Sequence, residues 1–162
     1  MPKPNSTAAS GFMRLAVREA SKNLKAAKGG PFGACIVREG RLLAVARNTV
    51  LSRDATCHAE VNAIRKASRR LGTFDLSGCV IFSTTEPCPM CFGAVHWARI
   101  GLVVYGTSIA DAKRAGFNEL PISNGTLKRL GKSRIRLAGG FLRDECLDLF
   151  KKWKAFPGKK PY

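Results

Sequence analysis

Apolar residues along the chain form two patterns: stripes at helical spacing and short uninterrupted runs. Residues 8–27 carry a mostly apolar stripe at helical spacing, which Gly29-Gly30-Pro31 ends. Residues 58–71 repeat the spacing, and Gly72 follows them. We therefore predict helices over both segments. Two further helices are expected over residues 88–99 and 144–153.

Short apolar runs bounded by turn residues predict the strands. Residues 32–37 and 42–46 flank a turn at Glu39-Gly40, so they are expected to pair as an antiparallel hairpin. Further strands are predicted at 79–82, 103–105 and 134–138, whereas 107–133 show no decisive pattern. Strands that alternate with helices indicate a layered α/β sandwich, in which the later strands run parallel or mixed.

The length of 162 residues fits one domain, which we place at residues 10–155. Residues 1–9 are expected to form a flexible leader and 156–162 a C-terminal tail. The leader has no apolar core of a secretory signal, and no apolar run reaches the roughly 18 residues that span a bilayer. We therefore expect a cytoplasmic protein with no membrane partner.

The charge is large but unevenly distributed. Hydrophobic residues make up 45% and charged residues 24%, which excludes wholesale disorder. The net charge is +17, yet residues 58–112 carry only five basic and four acidic residues. Charge alone indicates a nucleic-acid partner and a merely solvated surface about equally. The near-neutral middle suits a site for a neutral small molecule.

Two segments concentrate the residues that carry chemistry: Cys57-His58-Ala59-Glu60 and Glu86-Pro87-Cys88-Pro89-Met90-Cys91. Together they form the His-x-Glu and Pro-Cys-x-x-Cys signature of zinc nucleobase deaminases. His58, Cys88 and Cys91 offer one nitrogen and two sulfur ligands, which leave the fourth zinc position open for water. Glu60 would lie beside the metal and carry protons.

Each feature also has a simpler interpretation. Cys88 and Cys91 could be a redox pair or half of a structural zinc site. Cys57 could supply a fourth ligand, although its side chain should diverge from that of the adjacent His58. Glu60 alone could be a surface carboxylate. Six cysteines without a secretory signal indicate a reducing compartment, where thiols are more often buried, metal-bound or reactive than paired.

The chain resembles the cytidine deaminase-like superfamily over roughly residues 10–155, and within it the bacterial guanine deaminases. The likeness is carried by segments 29–34, 58–65, 86–91, 96–99 and 115–119. Segment 115–119 and a tail that ends in tyrosine separate it from tRNA adenosine deaminases, which share the zinc motif. The resemblance implies a three-layer α/β/α sandwich with a central mixed five-stranded sheet. It also implies one Zn²⁺ per subunit and a homodimer that exchanges residues 156–162.

The resemblance also assigns residues around the base. Glu119 would anchor the purine and pass a proton to the leaving amine. The expected binding residues are Asn48, the backbone N–H of Ala59, Phe32 and Trp97 as walls, and Tyr162 from the neighbouring subunit. From the residues alone, Asn48 could be a turn residue, Glu119 a solvated acid, and the two aromatic residues core. The composition of the tail alone favours a frayed end.

The implied reaction is zinc-dependent hydrolysis of guanine at C2, giving xanthine and ammonia in a purine-catabolic role. The resemblance also admits ammeline or related aminotriazines as substrates. One alternative is a tRNA adenosine deaminase acting on an anticodon loop, which the charge of +17 would suit. A second alternative is a basic nucleic-acid-binding module with a structural zinc site. Nucleic acid is admitted as a partner by the basic surface but is not favoured by the motifs.

Overall fold

A computed structural model of the chain describes residues 7–160 and 162. One sheet contains β1 (Gly33–Arg38), β2 (Arg41–Arg47), β3 (Cys79–Thr85), β4 (Leu102–Thr107) and β5 (Arg136–Ala138). Its spatial order is β2-β1-β3-β4-β5. β1 runs antiparallel to β2 and β3, whereas β3, β4 and β5 are parallel. The predicted mixed five-stranded sheet and its antiparallel hairpin are confirmed.

Helices cover both faces of this sheet. They are α1 (Thr7–Ser21), α2 (Asn23–Ala26), α3 (Ala59–Leu71), α4 (Pro89–Trp97), α5 (Ile109–Arg114), α6 (Asn124–Leu130) and α7 (Arg143–Ala155). α1 and α7 pack on one face and α3 on the other, where α4 packs against α3 and α6 against α4. The described chain is therefore the three-layer sandwich that the sequence predicts.

The strand pattern explains the two cores. Along β1, Ala34 and Ile36 join the core beneath α3, while Cys35 and Val37 join the core beneath α1. All four are buried, as expected for a strand covered on both faces. A third apolar cluster, rich in aromatic rings, lies between α5 and α7.

Three segments differ from the sequence predictions. The helix predicted over 8–27 is divided, because α1 ends at Ser21 and the short α2 follows. Residues 7–9 begin α1 and are not part of a leader, while residues 1–6 lie outside the described part. The undecided segment 107–133 contains α5 and α6, whose first turns are capped by the hydroxyl groups of Ser108 and Ser123. None of the described helices is long and apolar enough to cross a membrane.

Candidate active site

Two helix starts bring the candidate metal ligands together. His58 is the N-cap of α3, and Cys88 is the N-cap of α4, one turn before Cys91. The Nδ1 atom of His58 lies 3.6 Å from each of the two sulfur atoms. The pairing of β1 with β3 places the loop before α3 beside the loop after β3. Residues thirty positions apart in the chain therefore converge.

The three ligands fit zinc. Zn–N and Zn–S bonds of about 2.0 and 2.3 Å at tetrahedral angles place nitrogen and sulfur about 3.5 Å apart. Within the described residues this cluster has three members, and its ligand atoms all lie within 4.8 Å of one another. A structural zinc site uses four protein ligands, so three ligands indicate a catalytic site with an open position.

Cys57 does not join this cluster, as its position next to His58 predicts. Its sulfur lies 3.3 Å from the Asp54 carboxylate and 3.4 Å from the Arg65 guanidinium, on the other side of the loop. All six cysteines have free thiols. The interpretation of Cys57 as a fourth ligand is therefore excluded.

The two thiols of the cluster differ in acidity. Hydrogen bonding with Cys91 and the neighbouring His58 lower the pKa of the Cys88 thiol. The same hydrogen bond and burial raise the pKa of Cys91. The site thus already favours one thiolate, the form in which cysteine binds a metal.

Glu60 is a buried carboxylate beside the ligands. One of its oxygens accepts a hydrogen bond from the Ser83 hydroxyl at 2.7 Å, and the other lies 3.5 Å from the Cys91 sulfur. Burial raises the pKa of Glu60, because the charged form is poorly solvated there. A carboxyl group that is held in place and raised in pKa is suited to accept and return a proton.

A cavity of about 140 Å³ opens in front of these residues. A cavity of about 150 Å³ holds a molecule of the size of benzene. A purine is larger, so part of a bound purine would extend out of this cavity into the solvent. The lining residues are Phe32, His58, Glu60, Thr85, Glu86, Cys88, Phe117, Asn118, Glu119 and Tyr162. The structure therefore brings together both predicted carboxylates, two of the metal ligands, Phe32 and Tyr162.

Glu119 faces the cavity from the loop between α5 and α6. Burial, and then the negative charge of the Cys88 thiolate, raise the pKa of Glu119 to about 7. The interpretation as a solvated loop acid is wrong, because the segment folds back over the metal ligands. A carboxyl group with this pKa can exchange a proton near neutral pH.

Aromatic rings form one wall of the cavity. The rings of Phe32 and Phe117 meet edge to face, with centroids 4.7 Å apart. Tyr162 meets Phe117 at 5.8 Å, and its hydroxyl accepts a hydrogen bond from the Gly30 N–H at 3.0 Å. A side chain on Gly30 would place its Cβ 2.6 Å from the Phe32 ring, so only glycine allows this approach.

The position of Tyr162 corrects one expectation about the tail. The composition favours a frayed end, but Tyr162 is anchored at the pocket of its own chain. Its hydroxyl also interacts with the Asn48 side chain, and burial raises the pKa of the phenol. Residues 157–160, which connect α7 to this anchor, are exposed.

Asn48 is fully buried, behind Tyr162 and outside the set of residues that line the cavity. Its side-chain oxygen accepts the Val50 N–H at 3.0 Å, which is the turn role that the sequence alone admits. Its contact with Tyr162 connects it to the site. Ala59 is the first residue of α3, so its N–H is among the four that have no partner within a helix.

The prediction that Trp97 walls the base is wrong. Trp97 ends α4 and is 80% exposed. It lies six residues after Cys91, about 9 Å further along the helix axis, and the turn angle directs it away from the ligands. The likeness of segment 96–99 to the family therefore does not place Trp97 in this cavity.

Four lining residues had no predicted role: Thr85, Glu86, Phe117 and Asn118. The Glu86 carboxylate accepts the N–H of Asn124 at 2.8 Å and that of Ile109 at 3.2 Å. It therefore joins the metal loop to the first residues of α5 and α6, on either side of Glu119. The available signals were proximity and the family likeness: Thr85 and Glu86 stand just before Cys88, Phe117 and Asn118 stand just before Glu119, and segments 86–91 and 115–119 carry the likeness.

Comparison with known proteins agrees with this geometry. The family described as "Cytidine and deoxycytidylate deaminase zinc-binding region" matches residues 6–107. A guanine deaminase of Bacillus subtilis is 41% identical over 152 residues, which are 93% of this chain and 97% of that protein. A tRNA-specific adenosine deaminase of Aquifex aeolicus is 43% identical over 107 residues, 65% of this chain and 68% of that protein.

A solved structure extends the likeness to three dimensions. The guanine deaminase from Nitrosomonas europaea superposes with a TM-score of 0.82 at 32% identity, covering 90% of this chain and 84% of that one. The matched family region ends before Phe117 and Glu119, whereas the alignment with the Bacillus protein must include part of the chain beyond it.

Proposed function

The chain belongs to the zinc-binding family of cytidine and deoxycytidylate deaminases, and we propose that it hydrolyses guanine to xanthine and ammonia. One observation carries the choice of guanine. The likeness to a guanine deaminase covers 93% of the chain and so includes the segment that brings Phe117 and Glu119 to the cavity beside the metal ligands. The protein acts as a hydrolase on a C–N bond of a cyclic amidine.

His58, Cys88 and Cys91 would hold one zinc ion per subunit. When bound, zinc makes a water molecule acidic enough to ionise near neutral pH. The chain directs the remaining chemistry through its own groups. Ser83 fixes one oxygen of Glu60, and the other lies beside the metal ligands, 3.5 Å from the Cys91 sulfur. This second oxygen is the one that would take a proton from water and deliver it to a ring nitrogen.

Glu119 performs the second proton transfer. Its pKa of about 7 means that a substantial fraction carries a proton at neutral pH. In that form it can donate to the leaving amine, and in the ionised form it can accept hydrogen bonds from the base. The aromatic wall of Phe32, Phe117 and Tyr162 would hold the base in place by ring contacts. The backbone N–H of Ala59 would bind the carbonyl oxygen of guanine.

We further propose a homodimer in which residues 156–162 are exchanged. In a single chain Tyr162 already occupies the closing position, and the exposed segment 157–160 is the part that would reach across. After exchange, the partner's Tyr162 would make the same contacts. Cytoplasmic location, a purine-catabolic role and activity on ammeline or related aminotriazines belong to the same proposal.

The alternative of a tRNA adenosine deaminase is supported by the charge of +17 and by the likeness to the Aquifex protein. The structural-zinc alternative is disfavoured by the three-ligand cluster and by the buried Glu60 beside it.

Formation of xanthine by the purified, zinc-loaded protein tests the proposal. We expect guanine to be converted to xanthine with release of one ammonia per base. Chelation should abolish turnover, and added Zn²⁺ should restore it. Turnover that survives complete removal of the metal would contradict the proposed role of His58, Cys88 and Cys91.

A further inference from the structure

A second concavity lies on the opposite side of the loop that leads into α3. Cys57 lines this concavity, whereas the next residue, His58, lines the active-site cavity. Its volume is about 450 Å³, roughly three times that of the cavity. We call it the basic groove; it is lined by Glu19, Ala46, Arg47, Thr49, Arg53, Asp54, Cys57, Asn62, Arg65, Lys66 and Arg69.

Cations outnumber anions in the basic groove by five to two. Both carboxylates are already engaged. Glu19 forms ion pairs with Arg47 at 2.9 Å and with Lys22, and Asp54 accepts hydrogen bonds from the amide and hydroxyl groups of Thr56. The two carboxylates offset only part of the positive charge, and the lining keeps a net charge of +3.

Several of its hydrogen-bond donors are available to a ligand. Within the described residues, neither Arg53 nor Arg69 forms an ion pair. Arg65 and Lys66 also line the groove, and each is oriented there by hydrogen bonds to neighbouring protein groups. Arg65 and Arg69 lie one turn apart on α3, so two guanidinium groups project from the same side. Like charges at this spacing repel each other, and a bound anion would relieve that repulsion.

We propose that the basic groove binds the phosphate groups of a compact oligophosphate, such as inorganic triphosphate or the phosphate chain of a nucleotide. Guanidinium groups present paired N–H donors that match phosphate oxygens. No aromatic residue is among those that line the groove. Single-stranded RNA is usually held by stacking of its bases on aromatic rings, so this lining favours a compact polyanion.

Isothermal titration of the zinc-loaded protein with inorganic triphosphate tests this proposal, and it requires no turnover. The double variant Arg53→Gln/Arg69→Gln removes two charges that the fold does not use. The matched control is Lys128→Gln/Arg129→Gln, which removes two charges from α6, outside the groove, where Lys128 is half-buried and Arg129 is exposed. Any binding of triphosphate to zinc is the same in both variants.

We expect the groove variant to bind triphosphate at least about tenfold more weakly than the wild type, and the control variant to bind like the wild type. ATP should bind through the same arginines, which would identify a nucleotide as an accepted source of the phosphates. Equal weakening in both variants would overturn the proposal in favour of diffuse charge. Undetectable binding to the wild type, or tighter binding of a single-stranded RNA 12-mer than of triphosphate, would also overturn it.

Discussion

The active site has two halves that are built in different ways. The metal half consists of His58, Glu60, Cys88 and Cys91, all within the first turns of two helices. The base half takes Phe117 and Glu119 from a loop and Tyr162 from the chain end. The first half depends on local helix geometry, and the second depends on contacts between distant segments. In the proposed enzyme, short motifs therefore supply the metal chemistry, whereas tertiary packing would select the base.

The largest expected effect is in the metal half. Glu60→Gln keeps the shape of the side chain but cannot accept a proton, so kcat for guanine should fall by about 10³-fold or more. Zinc content, measured by atomic emission, should stay at one ion per chain. The exposed turn variant Glu39→Gln is the control. A Glu60→Gln enzyme with wild-type kcat would remove the proton role from Glu60.

Substitution in the base half should have the next largest effect. Glu119→Gln should lower kcat/KM for guanine by about 10²-fold, because the amide neither delivers a proton nor accepts one. Steady-state kinetics would measure the fall in kcat/KM, and the zinc content would show that the variant keeps its metal. If activity stays near normal while zinc is retained, Glu119 has no part in the reaction and the base half is defined by aromatic contacts alone.

Removal of residues 156–162 should weaken guanine binding without unfolding the chain, since the two cores that flank the sheet lie elsewhere. The deletion removes Phe156 and Tyr162 only from the edge of the third apolar cluster. We expect about a tenfold rise in KM and a fall of only a few degrees in the unfolding temperature, from the lost ring contacts with Phe117 and Trp153. The variant Trp97→Ala removes an exposed aromatic residue outside the cavity and should leave KM unchanged.

Mixing the tail-deleted chain with the Glu60→Gln chain distinguishes the two arrangements of the tail. If tails are exchanged, mixed dimers combine an intact Glu60 with an intact tail, and activity should recover. Lack of recovery in a mixture shown to contain mixed dimers would mean that each tail closes its own site.

The smallest effect concerns stability. The pKa of Glu119 is about 7 in the folded chain against 4.5 for a free carboxyl, so the folded state binds the proton more tightly. The contribution of protonated Glu119 to the stability of the fold is fully present below pH 4.5 and is lost as the pH rises through about 7. In zinc-free protein, the denaturant concentration at the unfolding midpoint should fall between pH 5 and pH 8. This fall should be smaller in Glu119→Gln than in the wild type. An equal fall in the variant and in the wild type would contradict the raised pKa of Glu119.

The two halves also differ in how far the sequence predicts them. The metal half follows from helix starts and ligand chemistry, so His58, Cys88 and Cys91 converge as expected. The prediction for Trp97 is wrong because sequence similarity to a family does not specify where a side chain at a helix end points. Glu86 was missed because its role depends on the N–H groups of Ile109 and Asn124, in helices that the pattern of residues 107–133 did not predict.

The tail shows the same limit. Its prolines, glycine and lysines are typical of a frayed end, yet one aromatic residue beyond them finds a hydrogen bond at Gly30 and a ring contact at Phe117. A single anchored residue at the end of an exposed segment cannot be recognised from composition. Only the resemblance to a family assigned Tyr162 to the site.

Ammonia release measured in parallel from guanine and from an anticodon stem-loop that contains adenosine tests the central claim most directly. The proposed account predicts release from guanine, with little or none from the RNA, because the base half closes over a single base. Release from the RNA alone would contradict it and would assign the shared zinc chemistry to tRNA editing.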